Sequence, residues 1–138
     1  NALLPLIDDV DAAQAALDVY MPEFEAELDR LLHAKLGLTT RQEGDRALFD
    51  GLFSIMQASH VDFTLLFRRL GDLQVAPPGD LAAADAPLRD LFIDRDAFDA
   101  WAVGYRERLR QEGSRDEVRR AAMNRVNPIY ILRNYLAQ

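Results

Sequence analysis

Apolar residues recur at spacings of three and four through most of the chain, the period of helices with one buried face. Val10, Ala13, Leu17 and Tyr20 form the first ridge. Asp8, Asp9 and Asp11 stand where N-caps and favourable charge at a positive helix end are expected. Pro22 suits the first turn of a second helix, where its missing N–H costs nothing. That helix carries Phe24, Leu28, Leu31, Leu32 and Leu36 and stops at Gly37. Thr40 and Glu43 have capping-box spacing ahead of Leu48, Phe49, Leu52, Phe53, Ile55 and Met56. Asp62 caps a helix with Phe63, Leu66, Phe67 and Leu70 on its face, ending near Gly71.

Three prolines and a glycine within 75–87 predict a loop of about a dozen residues. It divides two helical subregions of one domain spanning 1–138. A short turn follows at Leu88 to Phe92, and Asp94 or Asp96 opens a helix with Phe98, Trp101, Tyr105 and Leu109 at spacings of three and four. Ser114 and Glu117 repeat the capping-box spacing before Val118, Ala121, Ala122 and Met123. Asn127-Pro128 reads as a cap and an N1 proline, opening a last helix with Tyr130, Ile131, Leu132 and Tyr135. No alternating strand and no internal repeat is found. The pattern predicts an all-α bundle of about seven helices, with the aromatic residues, Phe24 among them, packed in its core.

A chain of 138 residues fits one domain. There is no cysteine, so disulfides and thiolate chemistry are excluded. No apolar run approaches the roughly 18 residues that span a bilayer, so no membrane partner is expected. The chain opens on Asn1 and stops at Gln138 in mid-pattern. The reading is a piece of a longer protein, with an apolar patch left exposed near one end. Of the net charge of −7, residues from Gly104 onward contribute +4, from eight arginines against Glu107, Glu112, Asp116 and Glu117; residues 1–103 therefore carry −11. An acidic body disfavours nucleic acid. The basic tail is either a solvated helix face or a contact for an anionic partner. One lysine against fifteen arginines suggests a GC-rich bacterial genome, and the expected location is the bacterial cytoplasm.

Chemistry-bearing motifs are scarce. His33 and His60 have no neighbour at metal-ligand spacing. Helix capping accounts for Asp8, Asp9 and Asp11 and for Asp94 and Asp96. Ser54, Ser59 and Ser114 lack a nucleophile-elbow context, and no glycine-rich phosphate loop occurs. No catalytic, cofactor or metal residue is assigned. The exception to this plainness is the end of the chain, where Asn124, Asn127 and Asn134 surround Tyr130 and Arg133. Asn127 is accounted for as an N-cap. Arg133 either pairs with Asp62 or Asp45 in a buried network, or joins Arg119 and Arg125 in receiving a phosphate or carboxylate. The candidate interdomain or ligand contacts are thus Arg119, Asn124, Arg125, Asn127, Tyr130, Arg133 and Asn134.

Three patches carry a resemblance: Met56-Gln-x-x-x-x-Asp62-Phe-Thr-x-x-Phe67-Arg68-x-Leu70, Trp101-x-x-x-Tyr105-Arg-x-Arg-Leu109, and Met123-Asn-x-x-Asn-Pro-x-Tyr-x-Leu-Arg-Asn-Tyr-Leu-Ala-Gln138. Together they resemble the C-terminal region of the selenoprotein O-like (YdiU) pseudokinase family, over roughly 45–138; residues 1–44 agree in position and helical character alone. The resemblance implies a larger kinase-like parent that transfers AMP from ATP, with Mg or Mn, to Ser, Thr or Tyr hydroxyls of other proteins. The family's nucleotide and metal motifs lie upstream, so none is carried onto a residue here. No cofactor is implied for the chain itself. Its implied partners are the upstream kinase-like lobes, which it would support, and the parent's protein substrates. A non-catalytic helical module whose arginine-rich end docks another protein is the alternative that the residues leave open.

Overall fold

A computed structural model describes residues 10–128, in which seven helices and no strand occur. They are α1 (Val10–Leu36), α2 (Asp45–Ser59), α3 (Phe63–Leu70), α4 (Leu81–Ala84), α5 (Ala86–Arg89), α6 (Arg95–Gln111) and α7 (Asp116–Val126). The chain divides into two compact units, residues 1–32 and 33–138.

In the first unit the expected break at Pro22 is absent: α1 runs through it without a second start. A proline inside a helix removes one hydrogen bond and costs about 3 kcal/mol. Good helix formers on both sides (Ala, Leu, Glu, Met) let propagation resume beyond it. The expectation that this ridge packs in a core also fails. Leu17, Tyr20, Phe24, Leu28 and Leu31 are all exposed, and the apolar surface expected near one end of the chain lies here. The proposed caps Asp8 and Asp9 fall outside the described residues.

The second unit opens on the last turn of α1. Gly37 ends that helix at φ 68°, with Leu38 N–H returning to the His33 carbonyl at 2.9 Å, a left-handed glycine cap. A Cβ on Gly37 would lie 2.5 Å from Cγ of Arg119, so glycine is also required by close packing. Asp62 and Asp94 cap α3 and α6 as expected, accepting from Leu65 N–H at 2.8 Å and Ala97 N–H at 2.9 Å.

Neither capping box forms. The N–H and hydroxyl of Thr40 both donate to Glu112, and α2 starts after Gly44 with no side-chain cap. Ser114 instead accepts from Arg119, and α7 starts after Arg115. Thr40 is taken by Glu112, 72 positions away, and Ser114 by Arg119 of the helix it was expected to cap. The stretch 75–87, expected as loop, contains α4 and the first residues of α5. Asp80 caps α4 through Ala83 N–H at 3.2 Å. The helix expected after Asn127-Pro128 lies outside the described residues.

The core of this unit forms where α2 packs on α6, α3 on α5 and α7, and α5 on α6. Phe49, Leu52 and Met56 face Phe98, Trp101, Ala102, Tyr105 and Leu109, with Leu66, Phe67, Leu70 and Met123 completing it; all are buried. Each such side chain contributes about 1.5–3 kcal/mol. Trp101 stacks on Tyr105 at 5.0 Å between ring centres. Two polar ties run out of this stack: the indole N–H donates to the Leu48 carbonyl at 2.9 Å, and the Tyr105 hydroxyl to the Leu36 carbonyl at 2.6 Å. They fix α6 against α2 and the end of α1.

Candidate functional site

The polar chemistry of the second unit is concentrated in buried arginines. Arg108 of α6 is 6% exposed and Asp45 of α2 is 3% exposed. They meet in a fork, Nε to Oδ1 at 2.5 Å and Nη2 to Oδ2 at 3.1 Å. Arg108 also donates to the Thr40 carbonyl at 2.7 Å and to Glu112 at 3.0 Å. Asp45 in turn lies 2.9 Å from Nε2 of His33 and accepts from Gln42 N–H at 2.8 Å. Burial pushes the Asp45 carboxyl up, but Arg108, the Gln42 N–H and His33 outweigh it and hold it at about 2. The same ion pair raises Arg108 further. The cluster therefore keeps both charges and closes the α1–α2 turn onto α6.

A second fork joins Arg106 to Asp85, at 2.8 and 2.6 Å, with both side chains almost fully buried. Its Nε donates to the Gln74 carbonyl at 2.8 Å, so one guanidinium holds both the stretch before α4 and the start of α5. A third arginine, Arg119 of α7, donates to the Leu73 carbonyl and to Ser114 Oγ, and pairs with Asp116 at 2.9 Å. Its Nε has no partner among the described residues.

At the far end of α7, Asn127 is 1% exposed. Its amide donates to the Lys35 carbonyl at 3.0 Å and its Oδ1 accepts from the Lys35 ammonium at 3.2 Å. That ammonium stands 5.3 and 5.4 Å from the ring centres of Phe63 and Phe67, a cation–π arrangement, and burial lowers its pKa. Arg68 closes the group by donating to the carbonyls of Asn124 and Asn127.

Of the residues singled out from sequence, Arg119 and Asn127 are thus buried and bonded within the chain. Asn124 is half-buried and Arg125 exposed. Tyr130, Arg133 and Asn134 lie outside the described residues. Asp45 is bound by Arg108, and the suggested pairing of Arg133 with Asp62 or Asp45 falls outside the described residues. Asp62 serves as a helix cap. The reading of the basic tail as a solvated helix face fails for Arg106, Arg108 and Arg119.

From the sequence alone, Arg106, Arg108, Asp85 and Lys35 are given no structural partner. A signal was present: Asp45 is in phase with Phe49, Leu52 and Met56, and Arg106 with Phe98, Ala102 and Leu109. A charge on an apolar ridge marks a buried pair.

What this arrangement can do chemically is limited. The forks of Arg106 and Arg108 are spent on the chain's own oxygens, so neither presents a free fork to a phosphate. Among the described residues no group of three or more His, Asp or Glu could hold a metal ion. A groove of about 420 Å³ runs between α2 and α6 over Ala47, Leu48, Ala100, Trp101 and Gly104. No helix of the described residues is long and apolar enough to cross a membrane.

Comparison with known proteins extends over the whole chain. The family described as protein adenylyltransferase SelO matches residues 1–138. A protein of Herminiimonas arsenicoxydans named protein nucleotidyltransferase YdiU is 55% identical over 138 residues, covering all of this chain and 27% of that protein. Proteins of the same name from Burkholderia ambifaria and Burkholderia multivorans are 52% and 51% identical, with 28% of each covered. The chain thus spans about a quarter of the length of these relatives.

Proposed function

The chain belongs to the SelO protein adenylyltransferase family, and from that premise we propose that it is the helical supporting region of a protein nucleotidyltransferase. The parent would move AMP from ATP to Ser, Thr or Tyr hydroxyls of other proteins in the bacterial cytoplasm. Residues 1–138 would brace its kinase-like lobes. The observation that carries this reading is the use made of the buried arginines. Arg106, Arg108 and Arg119 each tie two or three segments of the second unit together through the chain's own oxygens. Such a network fixes one arrangement of helices more than it adds stability. Among the described residues no group of three or more His, Asp or Glu could hold a metal ion. No step of the transfer is assigned to them.

The test is direct. Residues 1–138, incubated with α-labelled ATP, Mg or Mn and an acceptor protein, transfer no label, whereas the intact Herminiimonas relative does. Label transfer by the 138 residues alone overturns the supporting role.

A further inference from the structure

Residues 10–32 of α1 expose a run of large apolar side chains. Val10, Leu17, Tyr20, Met21, Phe24, Leu28 and Leu31 are between 40% and 75% exposed. At 3.6 residues per turn they fall in a single stripe about 100° wide, the width of a helix face that seats against a partner. Tyr20 and Phe24 stack along it with ring centres 6.1 Å apart. An exposed stripe of this length exceeds the scattered apolar residues of an ordinary surface.

The flanks are predominantly acidic, and Glu27 on one of them is paired with Arg30 at 2.6 Å. Asp11, Asp18, Glu25 and Asp29 border one side of the stripe and Glu23 and Glu27 the other, with Arg30 the only base in residues 1–32. With Asp8 and Asp9, these residues hold the chain's entire net charge of −7, while residues 33–138 balance at fifteen charges of each sign. Two such helices brought face to face would align carboxylates with carboxylates, so a second copy is the wrong occupant. What fits is an apolar groove with a basic rim, in the same way that an amphipathic helix lies in a groove through anchors at i, i+3, i+4 and i+7.

We propose that α1 docks by this stripe into an apolar, basic-rimmed groove in the part of the parent protein that residues 1–138 do not span. That part makes up roughly three quarters of each relative, since the chain covers 27% to 28% of their length. The proposal rests on the supporting role above and supplies its contact surface. Phe24 and Leu28 sit at the centre of the stripe and act as anchors. The carboxylates select the partner by charge.

Hydrogen exchange tests it. The isolated 138 residues are compared with a chimera in which they replace the matching segment of the Herminiimonas relative. Amides of 10–32 exchange at least about tenfold more slowly in the chimera, the mark of a helix that becomes protected, while those of 33–128 exchange alike in both. Phe24→Asp with Leu28→Asp removes the protection of 10–32 and leaves 33–128 unchanged. Asp18→Lys with Glu25→Lys and Asp29→Lys weakens it. The segment of the intact relative aligned with 10–32 gives the same reading without a splice. Equally fast exchange of this segment in the isolated chain and in the larger proteins overturns the proposal. So does slow exchange in the isolated chain accompanied by a dimer in sedimentation, which would assign the stripe to a second copy. Label transfer by the isolated chain would end the supporting role yet leave the exchange result standing, so the two readings fail separately.

Discussion

Arg108→Ala removes the centre of the α1–α2–α6 cluster. The arginine and Asp45 are 6% and 3% exposed, and the variant leaves the carboxylate buried with only His33 and the Gln42 N–H. Breaking a buried pair in this way costs about 3–5 kcal/mol, a large part of the roughly 5–15 kcal/mol that holds a typical domain folded. The thermal midpoint should fall by roughly 10–20 °C. The pH dependence carries the sharper signature. Asp45 sits at about 2 in the folded chain against an ordinary 3.8, a difference worth about 2 kcal/mol. Because the folded value is the lower one, this contribution is complete above the ordinary value. It is lost as pH falls through the folded value. In Arg108→Ala the acid limb is shallower, and the gap between variant and parent chain narrows towards low pH. Urea unfolding followed by Trp101 fluorescence and far-ultraviolet circular dichroism, at neutral and acid pH, reads both effects. A loss below about 1 kcal/mol, the value of an exposed pair, or a gap that stays constant with pH, would refute the reasoning.

Other substitutions probe the remaining ties. Arg106→Lys keeps the charge but loses the fork to Asp85 and the bond to the Gln74 carbonyl, and urea unfolding should show a loss of about 1.5–3 kcal/mol. Gly37→Ala forces φ 68° on an alanine and sets its Cβ against Arg119 and Met123; a melt should register at least about 1–2 kcal/mol from the backbone alone. Tyr105 is fully buried, and burial raises its hydroxyl pKa. Its folded pKa lies above the unfolded one, so its contribution holds below about pH 10 and is lost above it. Ultraviolet titration should show one phenolate appearing together with unfolding, and Tyr105→Phe should delete that step.

Much of the helical framework was legible because its signals are local. Gly37, Asp62 and Asp94 end or start helices through their own side chains or backbone freedom. Thr40 was misread because Glu112 reaches it from 72 positions away, and Ser114 because it accepts from Arg119 of α7. Pro22 misled for a different reason: its cost is real but smaller than the gain from continuing a long helix of good formers. The buried pairs Asp45–Arg108 and Asp85–Arg106 join residues 63 and 21 positions apart. Spacing along the chain cannot pair them. Their phase with the apolar ridges could have marked each member as buried. Of the patch that carries the strongest resemblance, Met123 and Asn127 are buried, while Tyr130, Arg133 and Asn134 lie outside the described residues.

The supporting role is tested most directly by AMP transfer from the Herminiimonas relative in three forms: intact, with its matching segment deleted, and with residues 1–138 spliced in that segment's place. Deletion abolishes transfer and the splice restores it. Full transfer by the deleted protein, with its remaining part folded, would contradict the supporting role.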